Sequence, residues 1–290
     1  MMSAATKSLP TWPPDLTTAA DPNALFATED RTLSEIWDAI QRHQVDFAFD
    51  DELQVYDRSD WWAARSVLDL GTGNGYYLRR LAGLFPDKQY LGLDSSRELI
   101  AIAERSAAPP GVRWQCADLA SADGKFDFVI MRLLLQHQEE VEGVLRKVAE
   151  LARPGGTALV IDARDEARVF RPELPAFRAL FRAYTESQAR KGRLRTVGAR
   201  VLEEVRRDPR WRVGERESVT ISSARPGNLA EFRTVYALFI DLVERAGGVD
   251  CDFDRVRAEW RWWCGLDDAH AVGNGARGLD GAPDLLGVRR

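Results

Sequence analysis

The sequence predicts an α/β fold: a Rossmann-like, mostly parallel sheet with helices on both faces, a helical N-terminal cover, and inserted and C-terminal helices. Three observations predict it. Five short apolar runs between residues 67 and 161 alternate with segments of helical periodicity. That alternation is the pattern of strand–helix–strand units joined by right-handed crossovers. The first run enters a turn with Gly71, Gly73 and Gly75 at alternate positions, and the second and third runs end at Asp94 and near Asp118. Ligands of open parallel sheets bind at those carboxyl ends.

The elements follow in order. Residues 1–28 hold Pro10, Pro13, Pro14 and Pro22 among Ala, Thr and Ser, and read as a mobile tail. Leu33, Ile36, Trp37 and Ile40 predict an amphipathic helix over about 30–43, within a cover segment 29–60. The core, 61–163, starts with a strand at 67–70. Gly75 then opens a helix carrying Leu78, Leu81 and Leu84, which Pro86 and Asp87 stop. A second strand, 90–93, ends in Asp94. Ser95-Ser96-Arg97-Glu98 fits a capping box for a helix with Leu99, Ile100, Ile102 and Ala103. Pro109-Pro110 breaks that helix. Strands follow at 112–115 and 126–131. A helix over 138–152 buries Val141, Val144, Leu145, Val148 and Leu151, is closed by Pro154-Gly155-Gly156, and leads to a fifth strand at 157–161.

The order then changes. Residues 164–208 are helical and Arg-rich, and read as an inserted lid. One strand, 211–222, occupies segment 209–225. Residues 226–290 hold a helix built on Leu229, Phe232, Val235, Tyr236, Phe239, Ile240 and Val243. A further helix carries Phe253, Val256, Trp260 and Trp263. The Gly-rich tail from Val272 reads as irregular, with 285–288 as a short closing strand.

The whole chain bounds the function. At 290 residues and a net charge of -5, it lacks the basic surface that nucleic acid would want. Cys116, Cys251 and Cys264 show neither metal spacing nor an even count, so no disulfide framework is expected and the cytoplasm is the default. No leader-type apolar region opens the sequence, and no run reaches membrane-spanning length. A small-molecule partner is expected, without nucleic acid or membrane; a homodimer is left open.

An acid closing the second strand accepts two hydrogen bonds from a ribose hydroxyl pair. A nucleoside-containing cofactor is therefore implied, either a dinucleotide or S-adenosylmethionine. Three points favour the latter. The glycine spacing is G-x-G-x-G, the residue three past Gly73 being Tyr76. No basic residue sits in the turn to meet a pyrophosphate. Asp69 precedes the turn, where it opposes phosphate but suits a sulfonium and an amino group.

Here the chain resembles the class I S-adenosylmethionine-dependent methyltransferases of small-molecule type. The matching stretches are VLDLGTGNG (67–75), YLGLD (90–94), CADL (116–119), FDFVIMRLLLQH (126–137) and LARPGGTALVID (151–162). The resemblance implies that Asp69, Gly71, Thr72, Gly73 and Gly75 line the methionine part. It implies that Asp94, with Ser95 beside it, binds the ribose hydroxyls. Asp118 would meet the adenine amino group with Leu119 beside the ring, and Met131 and Arg132 would lie under the reactive end. Such folds close with an antiparallel strand pair, of which one member is clear here.

Methyl transfer is an in-line displacement. Positioning supplies about 7–11 kcal/mol for well-oriented groups, and a general base adds roughly 100- to 10,000-fold. His137, just past the fourth strand, is the base candidate, its ordinary pKa suiting neutral pH; the rival reading places it at the start of the 138–152 helix. Arg132 is expected to fork onto a substrate carboxylate, or else to pair with Asp162 or Asp165. Asp162 faces the acceptor or caps a helix. Trp37 and Tyr56, with Phe47, Phe49, Trp61 and Trp62, suggest an aromatic cover and hence an apolar or aromatic acceptor, against the plain reading of core packing. No Asn-Pro-Pro-Tyr sequence follows the fourth strand, which argues against amide or base N-methylation. His43 and His270 read as surface residues.

The leading expectation is a methyltransferase of specialised metabolism. Rival readings are a cyclisation or rearrangement that uses the sulfonium without methylation, a cofactor-sensing module with 164–208 and 253–264 as contact helices, and a nicotinamide dehydrogenase.

Overall fold

The computed structural model describes residues 30–265 apart from Arg58, Arg164, Glu166, Ala167, Arg171, 219–220, Ala224 and Pro226, together with the backbone of 283–289. Side chains of 215–218 are also outside the description. The expected mobile tail, the irregular stretch 272–282 and His270 lie outside the described residues.

A seven-stranded sheet forms the centre, in the order β3-β2-β1-β4-β5-β7-β6. The strands are β1 (Ser66–Leu70), β2 (Gln89–Asp94), β3 (Val112–Cys116), β4 (Phe126–Arg132), β5 (Ala152–Ala163), β6 (Arg212–Ser218) and β7 (Pro283–Arg289). Strands β1 to β5 pair in parallel, and β7 pairs antiparallel with both β5 and β6. The strand order reverses between β1 and β4, so the crevice above these two is the switch point. Both strands are apolar on both faces because helices cover both faces.

One face buries Leu68, Leu70, Val129 and Met131 against α4 (Val141–Leu151) and α6 (Gly198–Arg207). The other buries Val67, Phe128, Ile130 and Leu159 against α2 (Tyr76–Leu84) and the C-terminal half of α1 (Leu33–Tyr56). Asp69 shares the pleat parity of Val67, so it lies on the α1 face. A third cluster joins α5 (Pro175–Arg190), α7 (Asn228–Ala246) and α8 (Phe253–Cys264) through Phe177, Tyr236, Trp260 and Trp263. Between β2 and β3 runs α3 (Arg97–Arg105).

Several expectations are corrected. Helix α1 does not stop near 43 but continues to Tyr56, because Val45, Phe49, Leu53 and Tyr56 sustain its apolar face; Thr32 and Glu35 form a capping box at its start. Ser96, not Ser95, caps α3, accepting from the Leu99 N–H, while the Ser96 N–H is taken by Asp94. Pro154-Gly155-Gly156 does not close α4, which ends at Leu151; the chain passes directly into β5, whose register with β4 is irregular between Phe126 and Phe128. The antiparallel pair is complete, since the tail supplies β7 between β5 and β6. Segment 164–208 does not pack as one unit: α6 packs Val201, Leu202 and Val205 into the sheet core, whereas α5 packs with α7 and α8.

Candidate active site

A cavity of about 580 Å³ opens at the carboxyl ends of the parallel strands. Its size is in the range of small-molecule sites. One end is built from the turn after β1. Gly71, Gly73 and Gly75 all have left-handed backbone, with φ of 73°, 57° and 71°, which glycine alone adopts freely. Gly71 and Thr72 line the cavity.

Gly73 and Gly75 do not line it, contrary to expectation. A Cβ at Gly73 would sit 2.3 Å from Oε1 of Gln41, and one at Gly75 would sit 2.4 Å from the Trp114 ring. Those two glycines let α1 and β3 press against the turn. Gln41 Oε1 accepts the Asn74 N–H at 2.9 Å, and the Asn74 amide donates to Asp38 at 2.7 Å. Helix α1 is thereby pinned over the turn.

Asp69 is buried beneath this turn and accepts from the Thr72 hydroxyl at 2.7 Å. Burial pushes its carboxyl up to about 7, opposed by the Thr72 hydrogen bond and by Arg132. Asp94 accepts the Gly73 N–H with one oxygen and the Ser96 N–H with the other, each at 2.8 Å. Each carboxylate oxygen keeps a further lone pair for a ligand hydroxyl. Asp118 accepts the Ala120 N–H at 2.8 Å. Asp94, Ser95, Asp118 and Leu119 all line the cavity. No Lys or Arg lies within the turn 71–75.

Past β4 the chain turns sharply. Leu133 has φ of 53°, the one non-glycine residue with left-handed backbone among the described residues. Its N–H donates to the Ile161 carbonyl at 2.7 Å, and its own carbonyl accepts from the Gln136 side chain at 3.2 Å. This kink sends Leu134, Gln136, His137 and Gln138 to the cavity wall.

His137 lies in a short 3-10 turn, Leu135–His137, not at the head of α4. Its ring meets Trp37 edge-on with centroids 6.0 Å apart, and both line the cavity. Its pKa does not sit at the ordinary imidazole value. Burial lowers it to about 4, helped by Arg195 and Arg193. The ring is neutral at physiological pH and a weaker base than the sequence implies.

Arg132 lines the cavity but pairs with neither Asp162 nor Asp165. Its Nε donates to Glu52 at 2.8 Å, its Nη2 to the Gln44 carbonyl at 3.4 Å, and it stacks over Tyr77 at 4.9 Å. Glu52 is itself 2% exposed, so the guanidinium is occupied by a buried partner from α1.

Three candidates stand away from the cavity wall. Met131 is packed in the α4-side core. Tyr56 is buried between Trp61 and Phe128 and shares a 2.9 Å hydrogen bond with the Tyr77 hydroxyl. Asp162 is buried, accepting the N–H groups of Gln136 and Ala163, and burial pushes its carboxyl up to about 7. It holds the loop after β4 from behind. His43 is half-buried, and its Nδ1 lies 2.5 Å from the Glu231 carboxylate.

The far wall was not foreseen. Arg168, Phe181, Tyr184, Arg195, Tyr236 and Phe239 close the cavity on the α5–α7 side. Of the late tryptophans, Trp260 and Trp263 are core, whereas Trp262 is 52% exposed.

Comparison with known proteins places this geometry. Residues 67–156 match the family model described as a methyltransferase domain. The ubiquinone/menaquinone biosynthesis C-methyltransferase UbiE of Desulfotalea psychrophila is 32% identical over 108 residues, which is 36% of this chain and 44% of that protein. The trans-aconitate 2-methyltransferase of Deinococcus radiodurans is 35% identical over 94 residues, 32% of this chain and 36% of that one. The matched region thus spans less than half the length of these relatives. Among solved structures, coclaurine N-methyltransferase bound to N-methylheliamine and SAH has a TM-score of 0.52 at 17% identity, covering 91% of this chain and 76% of that one. The [4+2]-cyclase SpnF has a TM-score of 0.50 at 20% identity, covering 85% and 81%. Both share the fold.

Proposed function

We propose that this chain, whose core is a class I, Rossmann-like methyltransferase domain, transfers a methyl group from S-adenosylmethionine to an apolar or aromatic small molecule. One observation carries this reading: Asp69 lies buried under the glycine turn, with Asp94 and Asp118 at the neighbouring strand ends and no cation in the turn. That socket suits a cationic nucleoside and repels a pyrophosphate.

S-adenosylmethionine, when bound, would supply an electrophilic methyl on a sulfonium leaving group. The chain's own residues do the rest. Gly71 and Thr72 offer bare backbone to the amino-acid part. Asp69 meets the ammonium and favours its positive charge. Asp94 takes the ribose hydroxyls, and Asp118 and Leu119 hold the adenine. Trp37 and the α7 rings exclude water from the acceptor. Neutral His137 accepts the acceptor's proton or its hydrogen bond, within reach of the same cavity. Arg132, tied to Glu52, fixes α1 against β4 and keeps positive charge behind Asp69.

The acceptor is taken as a small molecule because the cavity wall is built from rings on α1, α5 and α7. No described helix is long and apolar enough to cross a membrane. The test is transfer of a tritiated methyl from S-adenosylmethionine to candidate metabolites, preceded by calorimetry with the cofactor. Failure to bind S-adenosylmethionine or S-adenosylhomocysteine would sink the reading. A product with an unchanged methyl count would instead support charge stabilisation without transfer.

A further inference from the structure

We propose that the methyl acceptor carries a carboxylate on its apolar or aromatic skeleton, and that Arg168 and Arg195 hold this carboxylate on the β5 side of the cavity. The proposal rests on the methyltransferase reading and goes beyond it by naming a substrate class.

Apart from the Arg132–Glu52 pair, the charges lining the cavity fall into two groups. Asp69 lies within β1 one residue from its end, Asp94 ends β2, and Asp118 follows β3. Arg168 precedes α5 and Arg195 follows it, and both line the cavity. Both guanidiniums donate to a single carboxylate, Asp165, each at 2.7 Å. Among the described residues, Asp165 is the one carboxylate that both arginines bond; Asp162 acts on Arg195 through charge alone, and its own carboxyl is pushed up to about 7. Asp165 is held below the usual carboxylate range by the two arginines, against its burial.

The arginines are also incompletely satisfied. Nε and Nη1 of Arg168 are buried without a hydrogen-bond acceptor among the described residues. Buried donors left unpaired are costly and rare. The Arg168 guanidinium instead lies 4.1 Å from the Phe181 ring centre and 5.3 Å from that of Tyr236, and Arg195 lies 5.6 Å from Tyr184. A ring-flanked, weakly hydrated guanidinium is a strong receptor for a carboxylate. The depressed pKa of His137, to which Arg195 and Arg193 contribute after burial, reports the same positive field. Phe181, Tyr184 and Tyr236 would take the skeleton that bears the anion.

The carboxylate is an anchor and not the methylated group. Lone pairs engaged by two arginines are poor nucleophiles. The nucleophile therefore lies elsewhere on the skeleton, toward His137.

The experiment loads the full chain with S-adenosylhomocysteine and titrates it by calorimetry. The probes are 1-naphthoate, cinnamate and indole-3-carboxylate, each against its own amide. The acids should bind at least tenfold more tightly than their amides. Arg168→Met should abolish that preference while leaving S-adenosylhomocysteine affinity unchanged. Should R168M fail to fold, Arg168→Lys keeps the charge for Asp165 but loses the planar donors, and should cut the preference severalfold. A series in which no acid outbinds its amide, including one in which nothing binds, overturns the proposal, as does a preference that survives both variants. Absence of S-adenosylhomocysteine binding overturns the methyltransferase reading itself, so the two failures are told apart.

Discussion

Three residues around the site, Asp69, Asp162 and His137, carry displaced proton equilibria, and two of them make predictions. Asp69 has its carboxyl raised from 3.8 to about 7. Between those values the folded chain holds a proton that the unfolded chain has lost. Stability contributed by this group therefore falls as pH rises from about 4 to about 7, then levels off. Asp162, also raised to about 7, acts with the same sign. His137 acts oppositely: lowered from 6.5 to about 4, it adds stability as pH rises through that window. Asp69→Asn keeps the Thr72 hydrogen bond and removes one falling contribution. Denaturant unfolding between pH 4.5 and 8 should show the variant gaining on the wild type as pH rises; a constant difference would contradict the buried-carboxyl account. The same variant should bind S-adenosylmethionine more weakly at pH 8, where the wild-type carboxylate is charged. His137→Ala should lower kcat by about 100-fold, the lower end for a general base, because its conjugate acid is weakly matched to neutral pH. Cofactor affinity should hold. At saturating cofactor, loss of activity attributable to His137 protonation should come only near pH 4; a limb near 6.5 would show an exposed imidazole. Asp94 and Asp118 were legible in the sequence because a strand's end fixes where its last acid stands. The lowered pKa of His137 was not, since it depends on packing that includes Trp37 and on the charge of Arg195, both far away along the chain.

Elements that depend on local signals were legible, and those that depend on distant partners were not. The runs at 67–70, 90–94 and 126–131 are apolar on both faces and could only be covered strands. Past residue 43, Asp46, Asp50 and Asp51 interrupt the apolar periodicity of helix α1; Asp46 is taken up by Tyr76 and Arg80. Glu52 could not be placed opposite Arg132, since 80 residues separate them. The loop after β4 hides its main feature likewise: nothing in Met-Arg-Leu-Leu announces left-handed backbone at Leu133. That conformation costs an L-residue about 1–2 kcal/mol. Two substitutions separate the strain from the side chain. Leu133→Ala and Leu133→Gly both remove the isobutyl group, but only glycine also removes the strain. Thermal unfolding should find L133G more stable than L133A by about 1 kcal/mol. The reverse order, which is the usual one for ordinary positions, would mean that Leu133 does not hold this backbone in solution.

At the scale of the molecule, the sheet is completed by its last strand in sequence. Strand β7 lies between β5 and β6 and pairs with both, from Thr157↔Arg289 to Ala163↔Pro283 on one side and from Arg212↔Arg289 to Ser218↔Asp284 on the other. Among the described residues, β6 has no other neighbour in the sheet. Helices α7 and α8 lie between β6 and β7 among the described residues, and both pairings of β7 are long-range. Such pairings form only after costly loop closure. The sequence showed this strand as a short run, 285–288, with no indication of its neighbours. Its position has a consequence for the site. Strand β5 ends at Ala163, which lines the cavity, and Asp162 beside it braces the loop that presents His137. Without β7, the outer edge of β5 would expose its backbone donors and acceptors, a template for wrong pairing. A chain ended after residue 282 is therefore expected to lose its cooperative thermal transition and to aggregate, and to bind S-adenosylhomocysteine weakly even while soluble. A synthetic peptide of residues 283–289, supplied in excess, should restore part of the transition by reoccupying the gap. If the shortened chain unfolds at the same temperature and with the same cooperativity as the full one, β7 does not bridge β5 and β6 in solution, and β5 must be supported from elsewhere.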